Sequence, residues 1–201
     1  MGRFIVFEGL DGAGTTTQCD LLVARLTERP CGPSGLGALR TAEPTAGPIG
    51  RIARETLGAR PDAPAIEVLP WLFAADRADH LSRTVLPALA VGRPVVCDRY
   101  VPSSLAYQSL TMPLGEVWSL NRTFRVPDLV LYVDVPVDTA LARIDARKGE
   151  REIYDDKKRL TQIRDAYERV MGFLDDEGWP IVRIDGRPPV AQVAAAVAAA
   201  L

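Results

Sequence analysis

The chain has 201 residues, enough for one domain with a sizeable buried core, and 24 basic against 26 acidic residues give a formal charge of −2. With hydrophobic residues at 47% and charged residues at 25%, the composition is ordinarily globular and lacks the basic surplus of a protein that coats nucleic acid. A local basic site for a phosphorylated small molecule stays compatible with it.

Cys19, Cys31 and Cys97 form no CxxC pair and leave an odd count, which argues for reduced thiols over a disulfide framework or a zinc site. The apolar start Phe4 to Phe7 is too short for a signal peptide. No apolar run approaches the roughly 20 residues that span a bilayer. A soluble, cytoplasmic chain is expected, with neither nucleic acid nor a membrane as partner.

In chain order, Phe4-Ile5-Val6-Phe7 is a continuous apolar run that suits a strand buried on both faces. The glycine-rich Gly9-Leu10-Asp11-Gly12-Ala13-Gly14 follows, then a helix with Leu21, Leu22, Ala24 and Leu26 as its buried stripe. Pro30 to Gly37 is turn-rich, residues 38–44 read as a weak strand then a loop, and Ile49 to Leu57 as a short helix. Gly58 to Pro64 has the composition of an exposed loop. Pro70 to Leu89 carries helical periodicity in Leu72, Phe73, Ala75, Leu81, Val85, Leu86 and Leu89, and predicts one long helix. Val95-Val96-Cys97 is a second buried strand and Leu129 to Val135 a third. Helices over Val137–Arg147 and Leu160–Leu174 flank a charged segment, a last strand covers Pro180–Ile184, and Val190–Leu201 forms a terminal helix. Strands alternating with helices predict an α/β fold, a doubly wound, mainly parallel five-stranded sheet flanked by helices. No internal repeat or linker divides residues 1–201, so a single domain is expected.

Gly9-x-x-x-x-Gly14-Thr15-Thr16 matches the phosphate-binding loop pattern in everything but its lysine. Glycines let backbone N–H groups converge on phosphate oxygens, the following helix adds its positive end, and Thr16 stands at the hydroxyl position that ligates Mg²⁺. A glycine-rich turn without a ligand is the plain alternative. A lysine charge at ~4 Å from a phosphate is worth roughly 4 kcal/mol at an effective dielectric near 20, before desolvation. Thr15 does not supply it: either another cation does, or the protein binds nucleotide without turning it over.

Val95-Val96-Cys97-Asp98 reads as a strand delivering a carboxylate, Asp98, that can hold Mg²⁺. Arg99-Tyr100, Ser103-Ser104 and Tyr107-Gln108 follow, which gathers a cation, hydroxyls, an amide and an aromatic at the carboxyl edge of the sheet. Ligands of open α/β sheets bind there. A surface ion pair is the alternative for Arg99.

These motifs resemble the thymidylate kinase family over nearly the whole chain: Phe4 to Gly14 with Thr16-Thr17-Gln18, Glu43-Pro44-Thr45 with Gly47-Pro48-Ile49-Gly50, Leu72 to Arg77, Asp98-Arg99-Tyr100 through Gln108, and Pro127-Asp128-Leu129. The resemblance implies transfer of a phosphoryl group from ATP, with Mg²⁺, to dTMP. It implies that Gly9, Leu10, Asp11, Gly12, Ala13, Gly14, Thr15, Thr16 and Thr17 cradle the donor phosphates and that Arg143 stacks on adenine. Phe73 would stack on thymine, with packing in the core as its alternative. Arg77 would contact the base edge or the acceptor phosphate, Arg99 that phosphate, Ser104 and Gln108 the base, and Tyr107 the sugar. Glu43 belongs to the same substrate set, and Asp11 would reach the 3′-hydroxyl or position the loop.

A lid over about 147–158, hinged at Gly149, would bring Arg147 and Arg151 onto the transferring group, alongside Arg99 and Asp11 as catalytic residues. A solvated helix face is the default for such mixed charge. Gly12 matches the subclass whose catalytic arginine comes from that lid, and the resemblance also implies a homodimer packed through long helices. Thr15 and Ala42 depart from the family, which removes two cations from the phosphate region. A kinase for another nucleotide or deoxynucleoside is the near alternative. A catalytically impaired nucleotide-binding regulator is the distant one. The absence of Asn-Lys-x-Asp after the loop counts against a GTPase.

Overall fold

The computed structural model describes residues 2–28, 35–58, 61–146 and 157–201. Five strands, β1 (Phe4–Gly9), β2 (Leu39–Ala42), β3 (Val95–Asp98), β4 (Leu129–Asp134) and β5 (Ile181–Asp185), form one sheet in the order β2-β3-β1-β4-β5. Every neighbouring pair is parallel, as strand–helix alternation requires. Central β1 is buried along its whole length, including Glu8, whereas edge strand β5 is half open.

Helices α1 (Thr15–Glu28) and α9 (Val190–Ala199) pack on each other. Helix α5 (Val101–Gln108) packs on α8 (Lys157–Asp176), α6 (Leu114–Asn121) and α3 (Leu69–His80). α2 (Pro48–Leu57) rests on α3, and α7 (Val137–Asp145) on α8. The core is continuous from Phe4–Phe7 through Val95, Val96 and Leu129–Val133 to Leu160, Ile163 and Tyr167 of α8. No helix among the described residues is long and apolar enough to cross a membrane.

Three expectations change. The run predicted as one helix over Pro70–Leu89 is α3, a π-helical turn over Leu81–Val85, and α4 (Leu86–Ala90). Pro87 causes the break: it has no N–H for the carbonyl of residue 83 and its ring crowds that carbonyl, so the ladder widens and the Leu86 N–H donates to Leu81. In α1, Leu21 is 40% exposed and the buried face is Gln18, Cys19, Leu22 and Leu26. In α3 the buried positions are Leu69 and Pro70 at its start, then Asp76, Arg77 and His80, so beyond the first turn hydrogen bonding and ion pairing, rather than apolarity, select the inward face.

Candidate active site

β1 and β3 end side by side, Phe7 opposite Asp98, and the chain leaves both strands into the site. After β1 the loop 10–14 leads straight into α1. Gly12 has φ +82, and a Cβ there would lie 2.4 Å from the carbonyl oxygen of Ala140 on α7, so only glycine fits. Gly12→Ala is expected to push the loop off α7 and weaken ADP binding about tenfold, read by calorimetric titration, with ~1.4 kcal/mol equivalent to that factor.

The loop lines a polar cavity of about 120 Å³ with Gly12, Gly14, Thr15 and Thr16, closed by Asp98 and Arg99. The Thr16 hydroxyl donates to Asp98 Oδ2 at 2.7 Å. Asp98 Oδ1 is buried and accepts no hydrogen bond among the described residues. A second cleft of about 480 Å³ opens on the other side of the loop, between Gly12–Gly14, Thr17, Arg143 and residues 186–190. Arg143 donates to the carbonyls of Ala13 and Gly186, at 3.2 and 2.9 Å, and so ties α7 to the loop.

A third cavity of about 190 Å³, more apolar, lies beyond β3. α5 supplies Ser104, Tyr107 and Gln108, spaced i, i+3, i+4 on one helical face, and α3 supplies Phe73 and Arg77. Phe73 is half-buried and faces this cavity. Arg77 is almost wholly buried: it donates to Glu43 Oε2 at 2.8 Å and Ser104 Oγ at 2.9 Å, bonds Asn121 Oδ1, and lies 5.0 Å over the Tyr100 ring. The other Glu43 oxygen meets His80 Nδ1 at 2.9 Å, and His80 Nε2 meets the Thr41 hydroxyl at 2.6 Å. Gln108 Oε1 is buried without a hydrogen-bond partner among the described residues, an acceptor left open beside the cavity.

Asp11, Glu43 and Arg99 line both the loop cavity and this third one, and the two cavities meet there. Arg99 sits at φ +70, in left-handed backbone that costs a non-glycine residue free energy and is typical of functional sites. Its N–H donates to Phe7 at 2.9 Å. Its guanidinium donates to the Gly9 carbonyl at 2.7 Å, Tyr167 Oη at 3.0 Å and Asp11 Oδ1 at 2.6 Å. Tyr107 Oη donates to Asp11 Oδ2 at 2.7 Å, and burial pushes that phenol well up, so it stays a donor.

The predicted residues Asp11, Glu43, Phe73, Arg77, Arg99, Ser104, Tyr107 and Gln108 are thus brought together, with Gly12–Thr16 and Asp98 beside them. Arg143 and Thr17 stand on the far side of the loop. Arg147 and Arg151 lie outside the described residues, as does most of the expected lid.

Beyond the predicted residues, Arg54, Glu8 and Tyr167 also reach the site. Arg54 of α2 lines the third cavity, held by the carbonyls of Pro44 and Thr45 at 2.7 and 2.9 Å. Glu8 lies wholly buried beneath Arg99, accepting from Tyr100 N at 2.7 Å, Ser103 Oγ at 2.5 Å and Tyr167 Oη at 3.0 Å. Burial pushes its carboxyl up to about 7 against the pull of Arg99 and these donors. Tyr167 comes from α8, far along the chain. A lone acid in an otherwise apolar strand was the signal available for Glu8. Burial also pushes the Cys19 and Cys97 thiols well up, so neither is a ready nucleophile.

A sequence model of the family described as thymidylate kinase matches residues 7–197. The chain belongs to the thymidylate kinase family. It is 34% identical over 191 residues to a probable thymidylate kinase of Methanococcus aeolicus, covering 93% of this chain and 90% of the relative. A thymidylate kinase of Leptospira borgpetersenii is 37% identical, with 91% and 85% covered. That of Thermomicrobium roseum is 45% identical, with 71% and 68% covered.

Proposed function

We propose that the protein transfers the γ-phosphoryl group of ATP to dTMP, giving ADP and dTDP. One observation carries this reading: the loop cavity and the α3–α5 cavity meet at Asp11, Glu43 and Arg99. ATP would run from the Arg143 cleft, its adenine against that guanidinium, with its phosphates along the loop N–H groups of Gly9–Thr17. dTMP would enter the α3–α5 cavity, with its base against Phe73 and its edge read by Arg77, Ser104 and the open Gln108 acceptor. Tyr107 and Asp11 would face the sugar, and Arg99 with Arg54 the acceptor phosphate. Transfer then needs little covalent chemistry from the protein: Arg99 positions the acceptor and offsets charge on the transferring group.

A divalent cation fits the donor set, because buried Asp98 Oδ1 is an open acceptor next to the Thr16 hydroxyl. Mg²⁺ held there would neutralise phosphate charge. The lid role of residues 147–158, with Arg147 and Arg151 on the transferring group, belongs to the same reading. So do a cytoplasmic location, a single domain, and a homodimer packed through long helices. Supporting the homodimer, Ile66, in the turn just before α3, and Trp71, in the first turn of α3, present apolar surface, 43% and 52% exposed.

The test is ADP release, coupled to a spectrophotometric readout, with ATP, Mg²⁺ and a panel of nucleoside monophosphates. Release should depend on dTMP, exceed that with dCMP or AMP, and vanish with EDTA. Equal rates with and without dTMP would overturn the assignment.

A further inference from the structure

The phosphate cavity presents a charge problem. Asp11, Glu43 and Asp98 line it, and among the described residues Arg99 is its one lining cation. A polyphosphate enters such a cavity only if the acids are compensated. Arg99 pairs with Asp11 at 2.6 Å and Arg77 with Glu43 at 2.8 Å. Asp98 is compensated from behind, by a residue that the loop motif does not predict. Arg40 reaches out of β2 and sets its Nη2 3.2 Å from Asp98 Oδ2, the same oxygen that takes the Thr16 hydroxyl.

The Arg40 guanidinium is held on three sides. Its Nε donates to Asp20 of α1 at 2.9 Å, its Nη1 to the carbonyl of Thr41, and its Nη2 to Asp98. Its side chain is 25% exposed, so this charge is only partly screened by solvent. Residues 40 and 42 point to the same side of β2, and Ala42 lines the cavity in register with Asp98. Arg40 therefore stands one pleat behind the cavity wall, with small Ala42 between it and the phosphates.

We propose that Arg40 supplies the positive charge that Thr15 does not: it is a positioning residue that neutralises and orients Asp98, so that the loop cavity admits a nucleoside polyphosphate without a loop lysine. This rests on reading the cavity as the donor phosphate site. In that arrangement Arg40 touches no phosphate. It acts through Asp98, and its contribution grows with the charge of the ligand.

The experiment is a calorimetric titration of the purified full chain with adenosine, AMP, ADP and ATP in EDTA. Arg40→Gln should leave adenosine binding unchanged and weaken ATP about tenfold, with ADP between. Adding Thr15→Lys to Arg40→Gln should recover ATP affinity. Arg40→Lys keeps the charge but cannot brace three partners, so it should bind ATP within about threefold of the unsubstituted protein. A uniform loss across the four ligands, ATP affinity unchanged in Arg40→Gln, or no recovery with Thr15→Lys would each overturn the proposal. Should Arg40→Gln fail to fold, Arg40→Lys decides alone, since a mere brace predicts loss for every ligand there. ADP release with dTMP is followed on the same purified proteins after exchange from EDTA into Mg²⁺. A chain that shows the charge-graded pattern yet releases no ADP with dTMP keeps the Arg40 assignment and loses the acceptor assignment.

Discussion

Arg99→Ala is expected to lower kcat/KM for dTMP by about a thousandfold, roughly 4 kcal/mol of transition-state stabilisation. Arg99 lines both the loop cavity and the α3–α5 cavity, and with Thr15 at the lysine position no loop cation shares its load. Its pose carries backbone strain at φ +70 and is fixed by the Gly9 carbonyl, Tyr167 and Asp11. A guanidinium that is already immobilised loses little further freedom when the acceptor arrives, and such preorganisation is what makes an electrostatic contact count in the transition state. Arg99→Lys should recover no more than about tenfold, because an ammonium cannot span Gly9, Tyr167 and Asp11 at once. Steady-state rates over a dTMP series check both variants, with ATP saturating. A drop confined to KM would make Arg99 a binding residue only, and a loss below about tenfold would move the catalytic charge elsewhere.

The same residues show what was legible in the sequence. Strands β1, β3 and β4 stand out because strands buried on both faces must be continuous apolar runs, and the glycine pattern after β1 has few other uses. The α3–α5 cavity was legible as a composition but not as a shape. Ser104, Tyr107 and Gln108 stand close in the chain, and their i, i+3, i+4 spacing makes them one face only because Val101–Gln108 is the helix α5. The inward face of α3 departs from the hydrophobic pattern for a physical reason. Hydrophobic periodicity assumes that burial follows apolarity, and here Asp76, Arg77 and His80 are buried because Thr45, Glu43 and Thr41 satisfy them. Partners some 30 to 40 residues away cannot be read from a local window. Arg40 is the same case: in sequence it is one charge in a weak strand, and only the β2–β3 pairing and α1 bring it onto Asp98.

Glu8→Gln is expected to remove a pH dependence of stability worth about 3 kcal/mol. In the folded protein burial raises the Glu8 carboxyl from its ordinary 4.5 to about 7, so between those values the folded state carries a proton that the unfolded chain has lost. Stability then falls as pH rises from about 4.5 to about 7, and the cost is fully present above the folded value. Each tenfold gain in proton affinity on folding corresponds to ~1.4 kcal/mol, which makes the cost of order 3 kcal/mol. Glutamine has no proton to lose, so the difference in unfolding free energy between the two proteins should change by that amount between about pH 5 and pH 8. Urea unfolding across the range measures it. The cost has a use within the proposed mechanism, because above pH 7 the carboxylate lies under Arg99 and attracts it, with Ser103 and Tyr167 donating to the same oxygen. If the two stabilities instead run parallel from about pH 5 to pH 8, Glu8 is ionised throughout. In that case the donors and Arg99 together outweigh burial, and the strand charge is a permanent counter-ion of Arg99.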